Sequence, residues 1–221
     1  MSTESDPLQA FGHQVDRIIE TPDQIRDLLG DPKPRVKAKV TDHIDDTARR
    51  FIATSPFVVL ATRRADGGVD VTPRGDPAGT VQVLDEHTLA LPERPGNRRA
   101  DALLNLLEDP ALGLLFLIPG HGDTLRVSGK AQIVQDAALS ARLEVRGHAP
   151  DLIVLIKVER VLSHCPKAFI RAGMWTPDAW PDTSDVPTLA ELMKSHGALE
   201  TPIEELAEAI AHDRVTRLYD R

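Results

Sequence analysis

The chain has 221 residues, 41% of them hydrophobic and only 4% aromatic, which is long enough to bury one sizeable core. Its 34 acidic against 26 basic residues give a formal net charge of −8, and this argues against a general nucleic-acid or anionic-membrane surface. The single cysteine, Cys165, excludes an internal disulfide framework, and no zinc-like ligand spacing surrounds it, so no metal is expected. No run of about twenty apolar residues occurs, and residues 1–6 lack the basic and apolar regions of a signal peptide. The expectation is a cytoplasmic protein with no membrane span. One domain over 1–221 is expected, with an N-terminal helical segment (1–55), a core (56–176) and a C-terminal helical tail (177–221).

The first fifty residues read as helices joined by loops. Thr21-Pro22-Asp23-Gln24 resembles a cap followed by proline at the first helical position, and Gly30 closes that helix. A second helix over 42–53 presents Ile44, Ala48, Phe51 and Ile52 on one face, and Ser55-Pro56 ends it. From Phe57 the period becomes that of strands. Residues 57–62 form a strand, Ala65-Asp66-Gly67-Gly68 carries the hairpin signal, and 69–72 returns antiparallel. A further hairpin pairs 81–84 with 88–91.

The stretch 89–107 then has the pattern of an anion cradle between a strand and a helix. Pro92, Pro95 and Gly96 make a stiff turn that continues neither sheet nor helix. Asn97 is a good cap for a helix whose apolar positions would be Ala100, Leu103, Leu104 and Leu107. The free amides of such a first turn attract anions and repel cations, yet Arg94, Arg98 and Arg99 cluster there. A bound phosphate resolves that conflict; the alternative is that the arginines solvate a surface turn or pair with Glu93 and Asp101.

Next come an apolar run at 112–118, the turn Pro119-Gly120-His121-Gly122, and a strand over 124–134 in which Leu125, Val127, Gly129, Ala131 and Ile133 alternate with polar residues. Residues 136–142 read as a connecting helix. A strand over 153–162 ends at Ser163-His164-Cys165-Pro166. Roughly six or seven strands with one crossing helix imply a closed or nearly closed barrel. In the tail, Thr188-Leu-Ala-Glu191 and Thr201-Pro-Ile-Glu204 each match a capping box.

The order of strand, hairpin, Val71-Thr72-Pro73-Arg74-Gly75-Asp76, the cradle, and Thr124-Leu-Arg-Val-Ser-Gly129 resembles the pyridoxamine 5′-phosphate oxidase-like FMN-binding split-barrel superfamily. The match runs over about 57–133, with a further likeness at His164-Cys-Pro-Lys-Ala-Phe-Ile-Arg171 to Trp175 that looks like a bacterial subgroup of flavoproteins. The resemblance implies an α+β, mainly β fold: an FMN-binding split β-barrel of mostly antiparallel strands flanked by N- and C-terminal helices. It implies FMN as cofactor, with Arg74 facing the flavin after Thr72 and Pro73, Asn97, Arg98 and Arg99 on the phosphate, Leu91 and Pro92 beside the ring, and Thr124 contacting the cofactor from the next strand. It also implies a homodimer with flavin at the subunit interface, so that Lys167, Arg171 and Trp175 approach the partner's flavin.

The residue chemistry agrees, since bidentate guanidinium contacts suit a phosphate better than a lysine point charge, and a cation at Arg74 would favour an anionic reduced flavin. The Arg-x-His substrate signature of authentic pyridoxamine phosphate oxidases is absent. The function implied is an FMN-dependent oxidoreductase transferring hydride at flavin N5, with a small-molecule substrate or a nicotinamide donor. The alternatives are a non-catalytic flavin sensor or reservoir, and a haem-binding relative, with His121 or His164 as ligand, or a deazaflavin-dependent one. His164, Cys165 and Lys167 lack a carboxylate at a spacing that would make a nucleophilic site.

Overall fold

Strands dominate the computed structural model of the protein, which describes residues 8–219. Residues 1–6, read above for targeting, lie outside the described residues. The chain divides into two compact units, one ending at Lys39 and the other starting at Val40.

In the first unit, β1 (Gln9–Ala10) and β2 (His13–Gln14) pair across Phe11 and Gly12, both at positive φ. α1 (Pro22–Leu29) begins with the capping box that its sequence predicts: Thr21 Oγ1 accepts from the Gln24 amide and the Gln24 side chain accepts from the Thr21 amide. α2 (Pro34–Lys37) is a single turn. The short strand pair is the departure from an all-helical reading.

The second unit opens with β3 (Val40–Thr41) and α3 (Asp46–Thr54). The helix starts later than its periodicity suggests because the Asp45 carboxylate accepts from the Ala48 amide at 2.7 Å. Ile44 stays in the core outside the helix, its amide bonded to the Glu86 carbonyl. There follow β4 (Phe57–Arg63), β5 (Val69–Gly75), β6 (Gln82–Asp85), β7 (Thr88–Pro92), α4 (Asp101–Glu108), β8 (Ala111–Leu117), β9 (Thr124–Val134), α5 (Ala137–Arg142), β10 (Ile153–His164) and α6 (Lys167–Ala172).

The large sheet runs β5-β4-β8-β9-β10-β7-β6, with β3 added on β10, and its pairings are antiparallel. This is the α+β split barrel that the sequence implied. Leu60, Leu114, Phe116, Val127 and Ile156 fill its interior, and Ala102, Leu103 and Leu106 of α4 close over them. β9 and β10 approach so closely that a Cβ at Gly129 would collide with the Lys157 carbonyl, beside a register shift between Val158 and Arg160. Pro73 is tolerated because β5 lies at one end of the path and pairs with β4 alone.

α4 departs from its expected phase. It begins at Asp101 rather than near Asn97, so Leu104 and Leu107 face outward while Ala102 and Leu106 are buried. In the tail, a 3₁₀ turn (Pro177–Ala179) leads to α7 (Leu189–Gly197), which has its Thr188 capping box, and to α8 (Ile203–Thr216). The second expected box does not form. Pro202 takes the cap position of α8, and the Thr201 carbonyl accepts from Lys194 Nζ at 2.8 Å. Among the described residues no helix is long and apolar enough to cross a membrane.

Candidate functional site

β5 and β7 stand far apart in the strand order, and no ladder joins them, yet residues of both line one cavity of about 1250 Å³. The cavity therefore occupies the seam where the barrel fails to close. Its wall includes β5, the end of β7, the turn that leads into α4, the start of that helix, a turn around His148, and the segment that follows α8.

Period-two alternation places Thr72, Arg74 and then Asp76 on one face of the β5 segment. Arg74 Nη1 donates to Thr72 Oγ1 and to the Pro73 carbonyl, both at 2.9 Å. Across the seam, Arg74 Nη2 meets Glu93 Oε2 at 3.0 Å, and Arg94 Nε meets Asp76 Oδ2 at 2.7 Å. Two ion pairs of opposite polarity thus connect strands that share no ladder. Side-chain exposure is 17% and 22% in the first pair and 12% and 9% in the second. Burial lifts the Glu93 carboxyl above its ordinary value, with Arg74 pulling the other way. Arg94 is committed elsewhere as well, donating to the carbonyls of His148 at 3.1 Å and Leu143 at 2.7 Å. Its charge is structural.

The residues expected on a phosphate come next. Asn97 does not cap α4; its Oδ1 accepts from the Arg99 amide at 3.0 Å and so caps a turn one step earlier. Arg98 and Ala100 are left-handed, at φ 62° and 55°, and Ala100 is an N-cap without a side-chain acceptor. No side chain caps the first turn of α4, whose residues Asp101, Ala102 and Leu103 line the cavity. Arg99 pairs with exposed Asp101 at 2.8 Å, which raises its already high pKa. Arg98 makes no hydrogen bond or ion pair among the described residues.

Of the residues expected to hold a cofactor, Thr72, Pro73, Arg74, Leu91, Pro92, Asn97, Arg98 and Arg99 line this cavity. Thr124, Lys167, Arg171 and Trp175 lie outside its wall. Thr124 is buried opposite His164 where β9 begins and β10 ends, and Lys167 and Arg171 follow on α6. Trp175 stacks on Phe169 with ring centroids 5.7 Å apart, and its buried Nε1 has no acceptor among the described residues. His121 sits near Asp123 (3.7 Å) and edge-on to Phe51 (5.9 Å). Among the described residues no cluster of His, Cys, Asp and Glu is placed to hold a metal.

Sequence reasoning missed the partners that organise the cavity. From the sequence Glu93 reads only as a surface counter-ion, and nothing local signals Arg146, His148 or Tyr219. The Arg74-x-Asp76 order facing Glu93-Arg94 was the available clue, legible only once the two segments are known to be neighbours.

A family model described as pyridoxamine 5′-phosphate oxidase matches residues 44–165. No curated protein matches the chain in sequence. Among solved structures, HupZ of Group A Streptococcus is similar at 19% identity and TM-score 0.44 over 53% of this chain and 91% of that one. An FMN-binding protein from Syntrophomonas wolfei subsp. wolfei is similar at 15% and 0.42 over 52% and 82%. General Stress Protein 26 from Bacillus anthracis str. Sterne is similar at 16% and 0.41 over 52% and 88%.

Proposed function

The chain belongs to the pyridoxamine 5′-phosphate oxidase family, and on that premise we propose that it binds FMN in the seam cavity and works as a cytoplasmic oxidoreductase on a small molecule. The observation that carries the reading is the start of α4, which has no side-chain cap and lies on the cavity wall, beside an arginine that makes no hydrogen bond or ion pair among the described residues. A helix start of this kind lacks an anion, and a phosphate monoester supplies one. Arg98 would give the guanidinium contact, and Arg99 would exchange its exposed pair with Asp101 for the phosphate at little cost. The fit extends to size, since about 1250 Å³ exceeds what a drug-sized ligand needs.

FMN, when bound, supplies hydride transfer at flavin N5. The chain's own part is to place and enclose. Thr72 and Glu93 hold the Arg74 guanidinium on the cavity wall, and Glu93 balances its charge, leaving the Glu93 Oε1 atom without a hydrogen bond among the described residues. A homodimer with flavin at the subunit interface belongs to the same proposal. It would give Lys167, Arg171 and Trp175, all outside this cavity wall, a role at the partner's site, and it would cover exposed Leu104 and Leu107.

The test is the absorption spectrum of the purified protein with mass analysis of the released cofactor, followed by anaerobic NADH and NADPH. Bound FMN that bleaches supports the reading. FMN that no donor reduces would make the protein a flavin sensor or reservoir, and a haem band or a deazaflavin mass would replace the cofactor. A chain that neither carries FMN nor takes it up would end the proposal.

A further inference from the structure

The segment after α8 enters the same cavity, and one ring fills a slot there. Tyr219 stacks on His148 with centroids 5.9 Å apart and planes 17° from parallel. The guanidinium carbons of Arg94 and Arg146 lie 5.7 Å and 5.8 Å from its centroid, and its hydroxyl donates to Asp76 Oδ1 at 3.0 Å. Each contact has its own physical basis: ring stacking, two cations against a π face, and a hydroxyl on a carboxylate.

Arg94 and the turn that carries Arg146 and His148 are held without the ring. Arg94 is fixed by Asp76 Oδ2 and by the carbonyls of Leu143 and His148. Arg146 and His148 belong to a tight turn in which Val145 and His148 exchange backbone hydrogen bonds, with Arg146 and Gly147 both left-handed at φ 53° and 85°. Those dihedral signs define the mirror-image turn that closes two-residue hairpins. Without Tyr219, the slot would keep the fixed Arg94 guanidinium, the turn that carries Arg146 and His148, and one carboxylate oxygen of the nearly buried Asp76 left without a donor among the described residues. That combination selects a flat ring bearing a neutral hydroxyl. A ring carrying its own carboxylate would meet Asp76, and an ionised phenol would do the same. Burial and Asp76 likewise hold the Tyr219 phenol above its ordinary pKa.

We propose that the slot formed by Asp76, Arg94, Arg146 and His148 is a binding subsite for a phenol-type ring, occupied in cis by Tyr219 and open to a substrate ring of the same class when Tyr219 withdraws. As a substrate subsite it rests on the oxidoreductase reading above; as a ring-binding slot it does not.

The test titrates p-cresol and toluene by calorimetry into the protein as purified, into Tyr219→Ala and into Tyr219→Phe, with bound flavin followed separately by absorbance. Tyr219→Ala should bind p-cresol about tenfold or more tighter than the wild type does, and about tenfold or more tighter than it binds toluene, the ratio that one hydroxyl-to-carboxylate hydrogen bond commands. Tyr219→Phe, which keeps the ring and loses the Asp76 contact, should fall between wild type and Tyr219→Ala. Equal affinity of all three proteins for p-cresol, or equal affinity of Tyr219→Ala for p-cresol and toluene, would overturn the subsite. Should Tyr219→Ala not fold, Tyr219→Phe against wild type decides alone, and no gain in p-cresol affinity would overturn the subsite. A protein that neither carries nor takes up flavin and still shows the p-cresol preference would retire the flavin reading and leave the slot standing.

Discussion

Arg98→Ala isolates the phosphate contact from everything else in the cavity. Arg98 lines the wall yet has no hydrogen bond or ion pair among the described residues, so its loss should change folding stability by no more than about 0.5 kcal/mol. Alanine also keeps a left-handed position occupied by a residue with a Cβ, so the backbone cost at φ 62° is roughly unchanged. A charge-assisted hydrogen bond to phosphate contributes about 1.5–3 kcal/mol, which converts to about ten- to 150-fold in Kd. The amides of α4 remain, so binding should weaken without vanishing. Flavin fluorescence titrations should show that loss for FMN and less than about a twofold change for riboflavin, which lacks the phosphate. Equal losses for the two flavins would place Arg98 beside the ring rather than the phosphate, and unchanged FMN affinity would remove it from the site.

Arg94→Ala should behave in the opposite way, as a stability mutation. It strands the Asp76 carboxylate, only 9% exposed, and two carbonyls; breaking such a pair from one side costs about 3–5 kcal/mol, to be read from urea unfolding, and a cost under about 1 kcal/mol would contradict the buried stitch. Gly129→Ala drives a methyl into the Lys157 carbonyl and should cost about 1–3 kcal/mol or more, seen as a lower Tm; a neutral result would mean that β9 and β10 part easily. The Glu93 carboxyl, raised by burial from about 4.5, binds its proton more tightly folded than unfolded. Its contribution to stability is therefore complete below the unfolded value and is lost as pH rises through the raised one. Measured against Glu93→Gln, the wild type should lose ground over that window, and a pH-independent difference would refute the assignment.

Local signals fixed most of the scaffold. The Asp66-Gly67 turn, the alternation in β9 and the capping boxes at Thr21 and Thr188 are decided within a few residues, and the strands and helices they imply are present. The start of α4 shows where local reading ends. Asn97 has the right side chain for a cap, but it satisfies the Arg99 amide, and two left-handed residues move the helix onward. No composition rule marks Arg98 or Ala100 for positive φ. Thr201 fails as a cap as well, since Pro202 takes the position and brings no side-chain acceptor. Tyr219 lies beyond any such reading, because its hydroxyl partner is 143 positions away in sequence. What places it is the meeting of β5 with the turn after α5, a property of the whole sheet.

The two ion pairs across the seam have a mechanical consequence. Among the described residues, neighbouring strands of the large sheet are joined by backbone ladders, which resist parting through many cooperative hydrogen bonds and are indifferent to ionic strength. The seam is held by Arg74–Glu93 and Asp76–Arg94, so its stiffness answers to pH and to whatever anion or ring lies between the strands. The barrel should breathe along this line before any other. Amide exchange on the free edge of β5 would report it, since a bound ligand braces the same gap that it enters through.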